Sequence, residues 1–130
     1  MALVCRIQDA DGRGPYKPGF SHVWSEREYG PDPVFIAFPG IMTRAQKIVN
    51  DRGGAVGCAF RTLNQASEWF SPSEVLTLAK HGYSLCWIEP DEILAENDDQ
   101  LVIWTALPLA KAKIATGWIT PASHCAKPTR

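Results

Sequence analysis

Two arginines, a tyrosine, a lysine and a phenylalanine fall in the first twenty residues of the chain, around a run of turn-formers. Arg6 interrupts the apolar segment Leu3-Val4-Cys5-Arg6-Ile7, which reads as a strand. Alternation turns Arg6 away from the face of Cys5 and Ile7, toward solvent on an edge strand or into a cleft. In a cleft its planar guanidinium could fork onto a phosphate or carboxylate. Arg13, Tyr16, Lys17 and Phe20 follow in residues 9–20, where Asp11-Gly12, Gly14-Pro15 and Pro18-Gly19 exclude helix and strand. Basic and aromatic side chains on such a loop suit an anionic, planar ligand such as a nucleotide. The glycine spacing matches neither a phosphate-binding Walker loop nor a dinucleotide fingerprint.

The other chemistry-bearing residues are more dispersed. Cys5, Cys58, Cys86 and Cys125 lack the spacing of a zinc site, so no metal is expected. His81 is placed in the last turn of a helix, where the dipole favours a cation. His22 lies near Trp24 in a polar, lid-like loop, and His124 is close to the C-terminus. No order of residues reads as a catalytic triad.

The stretch that must position these groups runs over residues 56–88. Val56-Gly57-Cys58-Ala59-Phe60 reads as a strand, and its glycine marks a place where something approaches the backbone closely. Thr62 with Gln65, then Ser71 with Pro72 and Glu74, are two helix starts in immediate succession, each a capping box. Leu63, Ala66, Trp69 and Phe70 share one face of the first helix. Phe70 and Val75 flank the second cap as a hydrophobic staple, and Gly82 ends that helix with Tyr83 packing back on Leu78. Tyr83-Ser84-Leu85-Cys86-Trp87-Ile88 is then a strand apolar on both faces, hence central.

Around this stretch, residues 34–38 are expected to form a short strand and 43–50 a short helix ended by Gly53-Gly54. Asp91 is expected to cap a single turn at 92–94. Residues 100–104 form a further strand, and 112–115 with 118–119 offer a last short strand or two. The sum is a single α+β domain over residues 1–120 with mixed or antiparallel sheets, followed by a tail at 121–130.

Composition narrows the classes. A net charge of −1 argues against a basic nucleic-acid binder and against an acidic mimic of DNA. Hydrophobic content of 45% and charged content of 21% are those of an ordinary globular domain. With no signal peptide and no long apolar run, a cytoplasmic location without membrane contact is expected.

The order strand, glycine-rich loop, strand, helix, helix, strand, acidic turn, strand resembles small ADP-ribosyltransferase-like domains. That group includes bacterial toxins, DNA-modifying transferases and phage-encoded inhibitors of host defence. Cys5-Arg6-Ile7 looks like the first-strand element that grips NAD in that superfamily. Cys58-Ala59-Phe60-Arg61-Thr62 looks like the strand that leads through a small hydroxyl residue into a helix. The stretch from Asp98 to Leu109 looks like the late strand whose start meets the nicotinamide ribose. The chain also resembles small phage and prophage proteins.

The resemblance implies a split-sheet architecture and binding of NAD or a related nucleotide. Arg6, Arg13, Tyr16, Phe20, Arg61 and Thr62 would hold the ligand, while Asp98, Asp99 and Gln100 would take the catalytic positions. Gln100 stands where a glutamate is expected; its amide could hold a ribose hydroxyl but contributes little to a developing positive charge. The activity implied is transfer of ADP-ribose to a macromolecule. The alternative is a non-catalytic phage accessory protein that binds and inhibits a host protein through aromatic and acidic surfaces.

Overall fold

A bifurcated sheet carries the chain in the computed structural model, which describes residues 3–16, 21–25 and 32–116. Strand β1 (Val4–Gln8) is followed by helices α1 (Ser21–Trp24), α2 (Val34–Ala37) and α3 (Ile41–Arg52), then strand β2 (Ala55–Ala59). Helices α4 (Leu63–Trp69) and α5 (Pro72–Lys80) lead to β3 (Ser84–Ile88), β4 (Glu92–Glu96) and β5 (Leu101–Thr105). Helix α6 (Leu109–Ala112) and β6 (Lys113–Thr116) complete the described elements. The fold is α+β, with two antiparallel three-stranded sheets ordered β1-β3-β6 and β2-β5-β4. They touch where Cys5 and Phe60 exchange both backbone hydrogen bonds at 2.8 Å, so β1 and β2 meet at one point and then diverge. That divergence opens the space described below.

Both central strands are apolar on two faces because each is covered on two sides. One core gathers Cys5, Ile7, Trp24, Phe60, Trp69 and Phe70 under α4 and α5. The opposite side packs Val4, Ala59, Ile88, Leu101 and Ile103 against Leu109. Helix α3 lies on the second sheet through Ile41, which meets Leu94 and Val102. Its half-buried Ala45, Ile48 and Val49 form the expected face, although the helix is longer than 43–50 at both ends.

The caps bound the helices closely to expectation. Ser71 and Glu74 make the full box: the Glu74 amide donates to the Ser71 hydroxyl at 3.2 Å, and the Ser71 amide donates to Glu74 at 2.8 Å. At Thr62 only one arm forms as drawn, the Gln65 amide donating to the hydroxyl at 3.1 Å. The side-chain oxygen Oε1 of Gln65 instead accepts from the Arg61 amide at 2.7 Å, one residue earlier. Gly82, with φ of 85°, turns the chain so that the Tyr83 amide reaches the Leu78 carbonyl at 3.1 Å.

Two expected elements are different in the structure. Residues 34–38 are not a strand: α2 is a single helical turn in which the Ile36 and Ala37 amides both donate to the Pro33 carbonyl. A five-residue apolar run has no periodicity that separates the two states. The turn at 92–94 is instead strand β4, because the edge of β5 offers it a ladder from Glu92–Trp104 to Glu96–Leu101. Asp91 does not cap a turn there; its carboxylate accepts from the Ala106 amide at 2.8 Å and closes the β4–β5 ribbon. The expected strand at 118–119 and the tail at 121–130 lie outside the described residues.

Candidate ligand-binding cleft

Arg6 is the only charged residue on β1, and its side chain is nearly enclosed at 7% exposure. Each of its nitrogens donates to a different part of the chain. Nε bonds Gln8 Oε1 at 2.9 Å, Nη1 the Cys58 carbonyl at 2.8 Å, and Nη2 the Gly12 carbonyl at 2.9 Å. The guanidinium therefore links β1, β2 and the turn-rich loop. Burial pushes its pKa down, opposed by the negative charge that Cys58, Cys86 and Asp9 carry when ionised. An arginine keeps its proton under such a shift, so a cation sits here whose hydrogen bonds among the described residues all go to neutral carbonyl and amide oxygens.

Gly57 is what lets it lie there. A Cβ at this position would come within 2.9 Å of both Arg6 Nη1 and Leu109 Cδ1. The close approach that a glycine within a strand implies is the approach of this guanidinium. Gly57→Ala is expected to cost about 1–3 kcal/mol, because Leu109 and the hydrogen-bonded guanidinium of Arg6 must both shift. Urea denaturation checks this, and a variant as stable as the parent would show that Arg6 moves without loss.

The turn at residues 9–13 above Arg6 is closed by hydrogen bonds. Asp9 Oδ1 accepts from the Asp11 and Arg13 amides, both at 2.9 Å, and the Asp9 amide donates to the Arg13 carbonyl at 2.9 Å. Aspartate closing its own turn in this way is the usual reason it begins one. Gly12, with φ of 87°, passes so close to Ala110 that a side chain has no room. Arg13 thus has a fixed backbone and an exposed side chain.

These groups line one cleft of about 690 Å³, a size that admits a nucleotide-class ligand. Arg6, Arg13, Tyr16 and Gln100 are all on its wall, although they come from β1, the loop and the start of β5. The remaining lining is mostly apolar and includes Phe60, Trp69, Phe70, Phe35 and Met42. Tyr16 is half open to solvent, edge-on to Trp24 and Trp69 at ring separations of 5.0 and 5.9 Å. Such a ring presents a surface on which a planar group can stack.

Gln100 is 2% exposed. Its Nε2 donates to the Asp32 carbonyl at 2.6 Å, and its amide donates to Asn97 Oδ1 at 3.0 Å. Cys58 is exposed on the cleft wall, yet it is recessed among protein atoms. Burial pushes its thiol pKa up, and Arg6 opposes that.

The other expected site residues lie elsewhere. Thr62 is occupied as the cap of α4. Arg61 forms an ion pair with Glu96, with Nη2 to Oε1 at 2.8 Å; the hydrogen bond raises the arginine pKa and lowers that of the carboxylate. Asp98 and Asp99 contribute backbone carbonyls, to Gln65 Nε2 at 2.9 Å and Trp69 Nε1 at 3.1 Å. None of these four is among the described residues lining the cleft. Phe20 lies outside the described residues. Conversely, Gln8, Gly57 and Trp69 shape the site although each reads in sequence as strand or core. Only the misplaced glycine of β2 was a signal.

Among the described residues no group of His, Cys, Asp and Glu could hold a metal ion, and no helix is long and apolar enough to cross a membrane. A family model described as Bacteriophage T4 Y00F protein matches residues 1–106. No curated protein and no solved structure matches the chain.

Proposed function

We propose, for a chain that belongs to the bacteriophage T4 Y00F protein family, a nucleotide-binding domain of the ADP-ribosyltransferase-like type that takes NAD or a related nucleotide in the cleft beside Arg6. The observation that carries this reading is the convergence of Arg6, Arg13, Tyr16 and Gln100 on one cleft from three separate parts of the chain. The splitting of the sheet into two three-stranded halves that part after Cys5 and Phe60 supports the same architecture.

The roles follow from the chemistry of each group. The two guanidiniums supply positive potential for a phosphate, and the exposed Arg13 supplies donors. Tyr16 offers a face for a planar ring, and the Gln100 amide a neutral partner for a ribose hydroxyl. The described wall supplies this amide and no carboxylate. Holding the nucleotide is therefore the primary function in this proposal. Transfer of ADP-ribose to a host macromolecule would draw on Asp98 or Asp99 only if the turn before β5 moved toward the cleft.

Thermal unfolding with NAD, ADP-ribose and ADP tests the reading. At 100 times its dissociation constant a ligand adds about 2.7 kcal/mol, which raises the melting temperature by several degrees. No shift with any of the three at millimolar concentration would overturn it.

A second reading, a phage accessory protein that binds and inhibits a host protein, is favoured by one feature of the surface. Phe35, Ile36 and Met42 are 61%, 55% and 64% exposed on α2 and the first turn of α3, and Phe35 and Met42 reach the cleft. Loss of an effect on the host in an Ile36→Ser variant, whose side chain is not among the residues lining the cleft, with nucleotide binding kept, would favour it.

A further inference from the structure

The two arginines of the cleft are in opposite states. Arg6 is buried, and all three of its nitrogens already donate to protein oxygens. Arg13 is the reverse. Its backbone is clamped by Asp9 through the amide and the carbonyl, while its exposed side chain makes no hydrogen bond or ion pair among the described residues. Fixing the backbone in advance removes part of the ordering cost that a ligand would otherwise meet, and leaves a complete fork of donors available.

We infer that Arg13 is the residue that grips a phosphate or pyrophosphate group and so determines specificity for phosphorylated ligands, while Arg6 is a positioning residue that sets the loop through Gly12. The inference rests on the nucleotide-binding reading above and assigns its anion contact. Arg6 cannot reach out without releasing the carbonyls of Gly12 and Cys58, each of which would lose a charge-assisted hydrogen bond. It acts at longer range: its hydrogen-bond partners are neutral oxygens, so its charge, offset in part by the Asp9 carboxylate, raises the potential of the cleft floor for an incoming anion. Tyr16, three residues beyond Arg13 and open on the same wall, places a ring where the group attached to the phosphate would lie.

Titration calorimetry with ADP, adenosine and inorganic pyrophosphate tests this on the full chain and its Arg13→Gln and Arg13→Lys variants. Arg13→Gln should weaken ADP and pyrophosphate at least tenfold, leave adenosine within twofold, and make ADP binding less sensitive to salt. Arg13→Lys should recover part of the loss, since it restores the charge but not the fork. The melting temperature of the unliganded Arg13→Gln protein should stay at that of the parent, which separates lost contact from lost structure. Undiminished binding of ADP and pyrophosphate by Arg13→Gln overturns the assignment, as does an equal loss of adenosine. Arg13-dependent binding of pyrophosphate without any nucleotide binding would keep the assignment and remove the nucleotide reading. Nucleotide binding indifferent to Arg13 would do the opposite, and no binding of any probe by the parent chain removes both.

Discussion

Arg6→Ala is expected to lower the stability of the protein by about 2–4 kcal/mol, measured as a drop in the urea midpoint at unchanged slope. The side chain donates to Gln8, Cys58 and Gly12, so its removal leaves two backbone carbonyls and a buried amide oxygen without their partner at once. Hydrogen bonds to a charged group are worth about 1.5–3 kcal/mol each before compensation. Release of the desolvation penalty on the buried cation, and entry of water from the cleft, offset part of that. Arg6→Lys should recover little, because one ammonium on a flexible stem cannot span three acceptors on three segments. A variant within 0.5 kcal/mol of the parent, about the noise of such a comparison, would mean that desolvation cancels the network. The same substitution should release the loop that carries Arg13, so it cannot by itself show which arginine meets a ligand. That is why the binding test is placed on Arg13.

Trp69→Ala should be at least as damaging, at about 3–5 kcal/mol, the range for removing a large buried aromatic from a core. Trp69 is the last residue of α4 and 8% exposed, between Phe60 and Tyr16 with ring separations of 5.9 Å to each. It is also a tie: its indole N–H donates to the Asp99 carbonyl at 3.1 Å, which holds the turn that delivers Gln100 to the cleft. Trp69→Phe separates these contributions, since it keeps a ring and loses the hydrogen bond. It should cost about 1 kcal/mol in stability. If nucleotides bind, the Phe variant should weaken them more than its small loss of stability suggests, through Gln100. Equal losses for Trp69→Phe and Trp69→Ala in thermal unfolding would show that the hydrogen bond, rather than the ring, holds this corner.

Much of the scaffold was legible because its signals are local. Ser71, Pro72 and Glu74 define a helix start through contacts spanning four residues, and Gly82 ends that helix through backbone conformation alone. The double-sided apolar pattern of β3 correctly marks a central strand. Residues 34–38 and 92–94 were misread for the same reason in reverse. Both are short, and their state depends on partners outside the segment: the packing of Val34 and Phe38 on Leu94 and Val102 in one case, the edge of β5 in the other. Around the cleft, Arg6 declared itself by breaking an apolar run, and Arg13 and Tyr16 by their place in a turn-rich loop. Thr62, Arg61, Asp98 and Asp99 are equally suggestive in sequence. The structure assigns them to a cap, an ion pair and two backbone acceptors.

By itself the sequence determined which segments could fold and which residues were chemically able to meet an anion. Capping, alternation and turn chemistry act over a few residues, and so can be read along the chain. Only the tertiary structure decided which of those residues share a space. Arg6 and Cys58 are separated by 52 positions and Gln100 and Asp32 by 68, and each pair meets through a hydrogen bond that no local pattern encodes. The same packing decided the difference between the two arginines. Type and charge are identical, but carbonyls of Gly12 and Cys58 close around Arg6, while Asp9 holds the backbone of Arg13 and leaves its side chain to solvent.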